Sequence, residues 1–95
     1  MDSISEIMSV LRAGRALLDL SQEELASLAG VNRQIVVRVE RGDANVLVDA
    51  IEKIRAALEA GGIVFIEGSA ERGPGVALTR SRLRQHILPA SSKPE

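Results

Sequence analysis

The sequence contains no cysteine and only one aromatic residue, Phe65. The lack of cysteine excludes a disulfide, a thiolate metal site and a thiol nucleophile. The lack of tryptophan and tyrosine nearly excludes a surface of aromatic rings that stacks on unpaired bases. The core must therefore be built from leucine, isoleucine, valine and alanine.

Long hydrophobic runs are also missing, so we expect no membrane-spanning segment and no membrane partner. The N-terminus shows no basic segment followed by an apolar run, so we expect no secretory signal. Together with the lack of cysteine, these absences favour a cytoplasmic protein. A chain of 95 residues suits one small domain with a modest core.

Groups that support catalysis or bind a metal are sparse. His86 is the only histidine, and no carboxylate lies beside it at ligand spacing. Glu23 and Glu24 are neighbours whose side chains would diverge on a helix, and the Gly-Pro-Gly at 73–75 lacks the Lys-Ser/Thr of a phosphate-binding loop. We therefore predict no enzymatic activity, no cofactor and no metal site.

The net charge of −1 argues mildly against a nucleic-acid partner, but the charges are segregated along the chain. Acids outnumber bases in residues 43–67, whereas arginines dominate residues 71–88. Arg80, Arg82 and Arg84 alternate like a strand, and they either attract phosphate or only aid solubility. A basic face therefore stays open as an interpretation.

Apolar residues recur at helical spacing in four segments, which are residues 1–20, 21–30, 32–41 and 46–60. The expected inward positions are Ile4, Ile7, Leu11 and Leu18 in the first helix, Leu25, Ala26, Leu28 and Ala29 in the second, and Leu47, Ile51, Ile54 and Leu58 in the fourth. Ser3 or Ser5 is the expected N-cap of the first helix.

The second and third helices carry the clearest start and stop signals. Ser21 opens an S-x-x-E capping box, and Gly30 suits the left-handed conformation of a tight turn. Asn32 is the expected N-cap of the third helix, and Gly42 is its stop. The β-branched residues at 35–39 leave a strand as the alternative. We favour a helix because the cap, the stop and a charged stripe at helical spacing agree.

The hydrophobic period changes after the glycine pair at 61–62. Residues 63–67 and 76–78 are strand candidates separated by a turn-like segment at 68–75, which predicts a β-hairpin. This hairpin either packs on the fourth helix or pairs edge to edge with a second subunit, and we expect it to contribute to a dimer. Residues 89–95 are rich in serine, proline and lysine and are expected to be disordered.

The stretch from Gln22 to Arg41 meets the positional demands of a helix-turn-helix motif. The places that must be apolar, where the two helices face each other and the core, hold Leu25, Ala29, Val31, Val36 and Val39. Ala26 lies where the helices approach most closely, and Gly30 lies where the turn needs a positive φ angle. No proline interrupts either helix. Because so many demands are met together, the signal is far stronger than that of a lone short motif.

The segment LSQEELASLAGVNRQIVVRVERG, from Leu20 to Gly42, resembles the XRE/Cro family of bacterial DNA-binding regulators, whose domains are phage-repressor-like helix-turn-helix bundles. The resemblance covers roughly residues 11–58. It implies a bundle of helices that binds operators as a dimer. The chain departs from the family pattern in two ways, which are the lack of a proline after Gly42 and the replacement of a fifth helix by residues 63–78. The second departure affects the usual dimer interface.

The fold class predicted from these features is mainly α, a four-helix repressor-like helix-turn-helix bundle with a C-terminal β-hairpin and a flexible tail. We expect residues 1–60 to form the DNA-binding domain. Residues 61–80 are expected to form a hairpin extension and candidate dimerisation element, and residues 81–95 a basic and then disordered tail.

The third helix is expected to enter the major groove of double-stranded DNA with one face towards the bases. The predicted base contacts are Arg33, Gln34, Val37 and Arg38. Arginine suits guanine, glutamine suits adenine, and valine suits a thymine methyl group. The alternatives are a merely solvated charged face and, for Val37, a contact with another protein.

The resemblance implies further roles around that helix. Gln22 and Arg41 would bind phosphates, aided at Gln22 by the start of the second helix. Asn32, besides capping the third helix, would touch the DNA backbone or a base. Arg15 and Glu40 match an ion pair that braces the first helix against the third.

These features predict a sequence-specific transcriptional regulator, a repressor that binds a two-fold operator as a homodimer. One alternative is the antitoxin of a toxin–antitoxin pair, a DNA-binding autoregulator that also binds a toxin, which the arm from Glu71 onward motivates. Another is an antiactivator that binds a second regulator, which the mild acidity of the chain favours.

Overall fold

Four helices followed by a two-stranded antiparallel sheet make up the computed structural model, which describes residues 3–43 and 45–82. The elements are α1 (Ser3–Leu17), α2 (Gln22–Ala29), α3 (Arg33–Arg41), α4 (Val48–Ala60), β1 (Ile63–Ile66) and β2 (Gly75–Leu78). This arrangement confirms the predicted fold class, a helix-turn-helix bundle with a C-terminal hairpin. The predictions for the tail, including those for Arg84 and His86, lie outside the described residues.

The first helix is shorter than its hydrophobic pattern predicts. α1 ends at Leu17, and the chain turns where Asp19 takes a φ angle of 60°. The N–H of Leu20 then donates to the carbonyl of Arg15 at 3.2 Å, which closes the end of the helix. Ser3 and Ser5 both lie within α1, and the residues before Ser3 lie outside the described part of the chain, so the N-cap of α1 stays a prediction.

Three residues predicted to face the core are exposed to solvent. The exposed fraction of their surface is 41% for Ile7, 64% for Leu28 and 74% for Leu47. Met8 is buried in place of Ile7, and Leu28 lies on the flank of α2 that turns away from the other helices. Leu47 precedes the first turn of α4 in an extended conformation, so helical spacing does not apply to it. Spacing predicts an apolar stripe, but the neighbouring elements decide which edge of that stripe is covered.

One aliphatic cluster joins the helices and the hairpin. Its fully buried side chains are Leu11, Leu25, Ile54, Leu58, Val36 and Val39. Gly14 of α1 faces this cluster, since a Cβ atom there would lie 3.3 Å from Cδ1 of Leu58 and 3.6 Å from the side chain of Ile63. The glycine weakens the helix locally but lets α1 approach α4 and β1 closely.

The hairpin covers the core with one of its two faces. β1 and β2 pair in an antiparallel register that places Ile63 opposite Leu78. The side chains packed on the core are Ile63, Phe65, Val76 and Leu78. Because side chains alternate along a strand, Val64 and Ile66 lie on the outer face, where they are 45% and 42% exposed.

A helical turn at residues 80–82 follows the hairpin. The hydroxyl of Thr79 accepts a hydrogen bond from the N–H of Arg82 at 3.1 Å, and the N–H of Thr79 donates to the carbonyl of Gly62 at 2.8 Å. The predicted strand-like alternation of Arg80 and Arg82 is therefore wrong. The reason is that Thr79 starts a helical turn where the pairing of the sheet ends.

Short-range caps hold the ends of α2 and α3. The hydroxyl of Ser21 accepts from the N–H of Glu24 at 3.0 Å, and the carboxylate of Glu24 accepts from the N–H of Ser21 at 2.8 Å. Oδ1 of Asn32 accepts from the N–H of Ile35 at 3.0 Å. Gly30 has a φ angle of 75°, a left-handed conformation that is strained for most residues other than glycine. These contacts fix where the two helices of the motif begin and turn.

We expect Ser21→Ala to lower the free energy of unfolding by about 1 kcal/mol, because the N–H of Glu24 loses its acceptor at the first turn of α2. Urea unfolding followed by circular dichroism measures this loss. Ser27→Ala, which changes an exposed serine in the same helix, is the matched control and should be neutral or slightly stabilising. Equal losses in the two variants would contradict the role of the cap.

Candidate nucleic-acid interface

The turn between α2 and α3 sets the relative direction of the two helices. The N–H of Val31 donates to the carbonyl of Ala26 at 3.0 Å, so the chain leaves α2 through a tight turn at Gly30. Val36 and Val39 of α3 are fully buried in the core cluster that also contains Leu25. The buried side of α3 is therefore covered, in part, by α2.

The opposite side of α3 is polar and cationic. Successive residues of an α-helix are rotated by about 100°, so a face roughly opposite to Val36 and Val39 is formed by Arg33, Gln34, Val37, Arg38 and Arg41. Along this outer face of α3, Arg33, Gln34 and Arg41 are exposed, whereas Val37 and Arg38 are half-buried. The five residues predicted to meet DNA from α3 are thus brought to one side of the molecule.

An ion pair joins α1 to α3. Nε of Arg15 lies 2.5 Å from Oε2 of Glu40, and Nη2 lies 2.9 Å from Oε1, so the contact is bidentate. Nη1 of Arg15 also donates to the carbonyl of Leu20 at 2.7 Å. The side chains of Arg15 and Glu40 are only 20% and 6% exposed. The hydrogen bond to Glu40 raises the pKa of Arg15 against the opposing effect of burial, so the guanidinium of Arg15 stays charged.

Gln22 belongs to the same network. Its Nε2 donates to Oε1 of Glu40 at 3.1 Å, so the Glu40 carboxylate accepts hydrogen bonds from side chains of both α1 and α2. As the first residue of α2, Gln22 also has a backbone N–H that no intrahelical carbonyl can accept. Sequence reasoning assigned Gln22 to a phosphate but missed its side-chain contact with Glu40, because the two residues meet only in the folded bundle.

Asp43 lies directly after the glycine cap of α3 and holds Arg38. Nε of Arg38 donates to Oδ2 of Asp43 at 3.0 Å, and the N–H of Asn45 donates to Oδ1 at 2.9 Å. The N–H of Asn45, and then Arg38, lower the pKa of the Asp43 carboxyl group. Because this pKa is lowered in the folded state, these contacts stabilise the fold above the ordinary carboxyl pKa and are lost as the pH falls through the lowered value.

Sequence reasoning gave Asp43 no role. The sequence nevertheless contains a signal for this contact, namely an acid directly after the glycine that ends α3. Gly42 takes a φ angle of 85° and so turns the chain back towards the last turn of α3. The N–H of Asp43 then donates to the carbonyl of Arg38 at 3.0 Å. An acid placed directly after a helix-ending glycine can therefore reach a base in the last turn of that helix.

The part of the chain that the structure describes has neither a cluster of metal ligands nor a membrane-spanning helix. Residues 3–43 and 45–82 contain no group of three or more histidine, cysteine, aspartate or glutamate side chains that could hold a metal ion. Among the helices of these residues, none is long and apolar enough to cross a membrane.

The turn geometry and the cationic outer face of α3 define a helix-turn-helix protein. A helix-turn-helix family model matches residues 11–61, which is more than half of the chain. The chain belongs to the XRE/Cro-like helix-turn-helix family, whose members are DNA-binding transcription regulators. No curated protein matches the sequence. The matched span contains Arg15 and the whole of α2, α3 and α4.

We expect Glu40→Gln to lower the free energy of unfolding by about 1–3 kcal/mol, because Arg15 loses a charged, bidentate partner in a largely buried place. Urea unfolding measures this loss. Glu52→Gln makes the same chemical change at an exposed position of α4 and should alter stability by less than about 0.5 kcal/mol. A loss no greater than that of Glu52→Gln would contradict the role of Glu40 as a brace.

Proposed function

We propose that the protein represses transcription by binding a two-fold operator as a homodimer, with α3 of each subunit in the major groove. The observation that carries this proposal is the outer face of α3, which is cationic and polar and stands opposite to the buried Val36 and Val39. Two recognition helices in successive major grooves would read half-sites about 34–36 Å apart. The protein would act in the cytoplasm, where the DNA of a bacterial cell lies.

Base recognition would come from four residues of this face. Arg33 is exposed at the first position of α3, where its guanidinium can form two hydrogen bonds with guanine. Gln34, next to it, has the donor and acceptor that adenine requires. Val37 is half-buried, so a thymine methyl group is a suitable partner. Arg38 would read a second guanine.

Contacts with the DNA backbone would place this helix in the groove. The N-terminus of α2 attracts a phosphate through its free N–H groups and the helix dipole, and Gln22 is its first residue. Arg41 is exposed at the end of α3 and would neutralise a second phosphate. Asn32 caps α3 with its side-chain oxygen Oδ1, which leaves the N–H groups of its side-chain amide to donate to DNA.

The outer face of the hairpin supports the homodimer. Val64 and Ile66 are exposed side by side on the same strand face, where a hairpin in contact with water usually carries polar residues. Across the strands, Val64 lies opposite Ala77 and Ile66 lies opposite Gly75, so no polar side chain interrupts this face. A second copy that covers it would remove the apolar surface from water.

The antitoxin and antiactivator alternatives depend on other features. They were motivated by the arm from Glu71 onward and by the mild acidity of the chain. The structure describes residues 71–82 of that arm. The operator-binding proposal is preferred to the antiactivator because it uses the outer face of α3, which an antiactivator leaves without a role. An antitoxin would also bind DNA through this face and would add a toxin as a second partner.

We expect Arg33→Ala and Gln34→Ala each to weaken binding to a preferred duplex by about 1–3 kcal/mol and to relax specificity at one base pair. The duplex is selected from a random pool, and binding is measured by fluorescence anisotropy. Lys53→Ala removes a positive charge from α4 and is the matched control, with little effect on specificity expected. Unchanged base preferences in both α3 variants would overturn the assignment of base contacts.

Arg41→Ala should behave differently from these two variants, because a phosphate contact carries no sequence information. We expect weaker binding to preferred and unrelated duplexes alike, with the salt slope of the binding constant reduced by about 1. Anisotropy titrations at several salt concentrations measure the slope. A change in base preference without a change in slope would show that Arg41 reads a base instead.

We expect Val64→Glu to shift the protein from dimer towards monomer, because a charge would be placed in the apolar contact between subunits. Sedimentation equilibrium measures the mass over a range of protein concentrations. Leu28→Glu changes an apolar residue that is more exposed but lies on α2, and it should leave the mass unchanged. A dimer of equal strength in both variants would place the subunit contact elsewhere.

A further inference from the structure

An acid at the end of the recognition helix is unexpected in a DNA-binding surface. Asp43 is separated from the last residue of α3 only by Gly42, and its carboxylate would repel the phosphates that Arg41 attracts. By charge alone, a neutral residue at this position would bind DNA more tightly. Asp43 therefore calls for an explanation in terms of its contact with Arg38.

Asp43 is held relative to α3 by two contacts besides its ion pair with the Arg38 side chain. Its Oδ1 accepts from the N–H of Asn45 at 2.9 Å. Its backbone N–H donates to the backbone carbonyl of Arg38 at 3.0 Å, which ties the loop to the last turn of the helix. An anchored carboxylate of this kind can hold a long cationic side chain in one orientation.

Among the residues that the structure describes, Asp43 binds Arg38 at Nε and leaves the end of the guanidinium group available to another partner. Asp43 takes the Nε–H at 3.0 Å, and the two terminal nitrogens carry the remaining four N–H groups of the planar fork. The edge between these nitrogens presents two parallel N–H donors. O6 and N7 of guanine accept two such donors in the major groove.

We propose that Asp43 is a positioning residue that orients Arg38 for the recognition of guanine, so that an acid next to the recognition helix increases specificity. The inference rests on the proposed function, since it needs α3 to lie in the major groove. Its physical basis is that a long side chain already held in one rotamer loses less conformational freedom when it binds. The side chains of Arg38 and Asp43 are 38% and 25% exposed, so the pair lies at the surface within reach of DNA.

The proposal and simple charge repulsion predict opposite effects. If Asp43 only repels phosphate, Asp43→Ala tightens binding to every duplex. If Asp43 positions Arg38, the same variant weakens binding to the preferred duplex while binding to an unrelated duplex stays equal or becomes tighter. An ion pair at the protein surface contributes little to stability, so the fold itself should change little.

The test uses the full chain and a duplex selected from a random pool with the unaltered protein. Affinity for this duplex and for an unrelated one is measured by anisotropy for Asp43→Ala, Arg38→Ala and the double variant. We expect Asp43→Ala to lower the preference for the selected duplex by about two- to tenfold, the range that ordering one long side chain on binding implies. In the Arg38→Ala background, the same change should cause no loss of preference.

A second readout identifies the base. Replacing guanines in the selected duplex one at a time by 7-deazaguanine removes the N7 acceptor. At one position this replacement should weaken binding of the unaltered protein, and the effect should be smaller in Asp43→Ala and absent in Arg38→Ala. A merely structural role of Asp43 would not single out one guanine.

Two controls separate positioning from other effects. Asp49→Ala removes an acid that pairs with Lys53 on α4, and it should leave the preference unchanged. Asp43→Asn keeps an oxygen for the N–H of Asn45 but loses the charge that holds Arg38, so it should lose an intermediate part of the preference. Thermal unfolding of each variant checks that the fold is intact.

The possible results are distinguishable. Sequence-independent binding, or no binding, by the unaltered protein would overturn the proposed function and this inference with it. Sequence-specific binding in which Asp43→Ala tightens both duplexes, or lowers the preference equally with and without Arg38, would overturn the inference alone.

Discussion

The carboxylate of Glu40 is the point at which three helices of this small bundle meet. Its two oxygens accept from the guanidinium of Arg15 on α1 and from the amide of Gln22 on α2, while its backbone belongs to α3. A polar group that is almost fully buried must have such partners, or it would destabilise the fold. The direction of α3 therefore depends on contacts with both earlier helices. These contacts also determine which way the outer face of α3 points.

The aliphatic core acts together with this network. Val36 and Val39 turn one side of α3 inward, and the rotation of the helix then turns the arginines outward. A chain whose net charge is −1 thus presents a local cationic face. Net charge alone would have argued against DNA as a partner, whereas the distribution of charge over the fold supports it.

The hairpin replaces the fifth helix that the resemblance to the family predicts. One of its faces closes the core through Ile63, against which Gly14 allows close packing. Its other face is apolar and is left exposed by the residues that the structure describes. The same short element thus completes the monomer and offers the surface on which the proposed dimer depends.

Local signals in the sequence determined where the two motif helices begin and turn. Ser21, Gly30 and Asn32 act on backbone groups no more than a few residues away, so their effect does not depend on the rest of the fold. The set of residues on the outer face of α3 was predictable for the same reason, since helical rotation is local. Together with the motif, these features were enough to identify the family.

Only the tertiary structure decided which edges of the apolar stripes are covered and which polar groups meet. Leu28 and Ile7 fit helical spacing yet remain exposed, because the packing of the other elements leaves these edges of α2 and α1 incompletely covered. The contact of Gln22 with Glu40 depends on the angle between α2 and α3. Such a contact joins residues whose approach is set by the packing of whole elements, and no periodicity in the sequence encodes that packing.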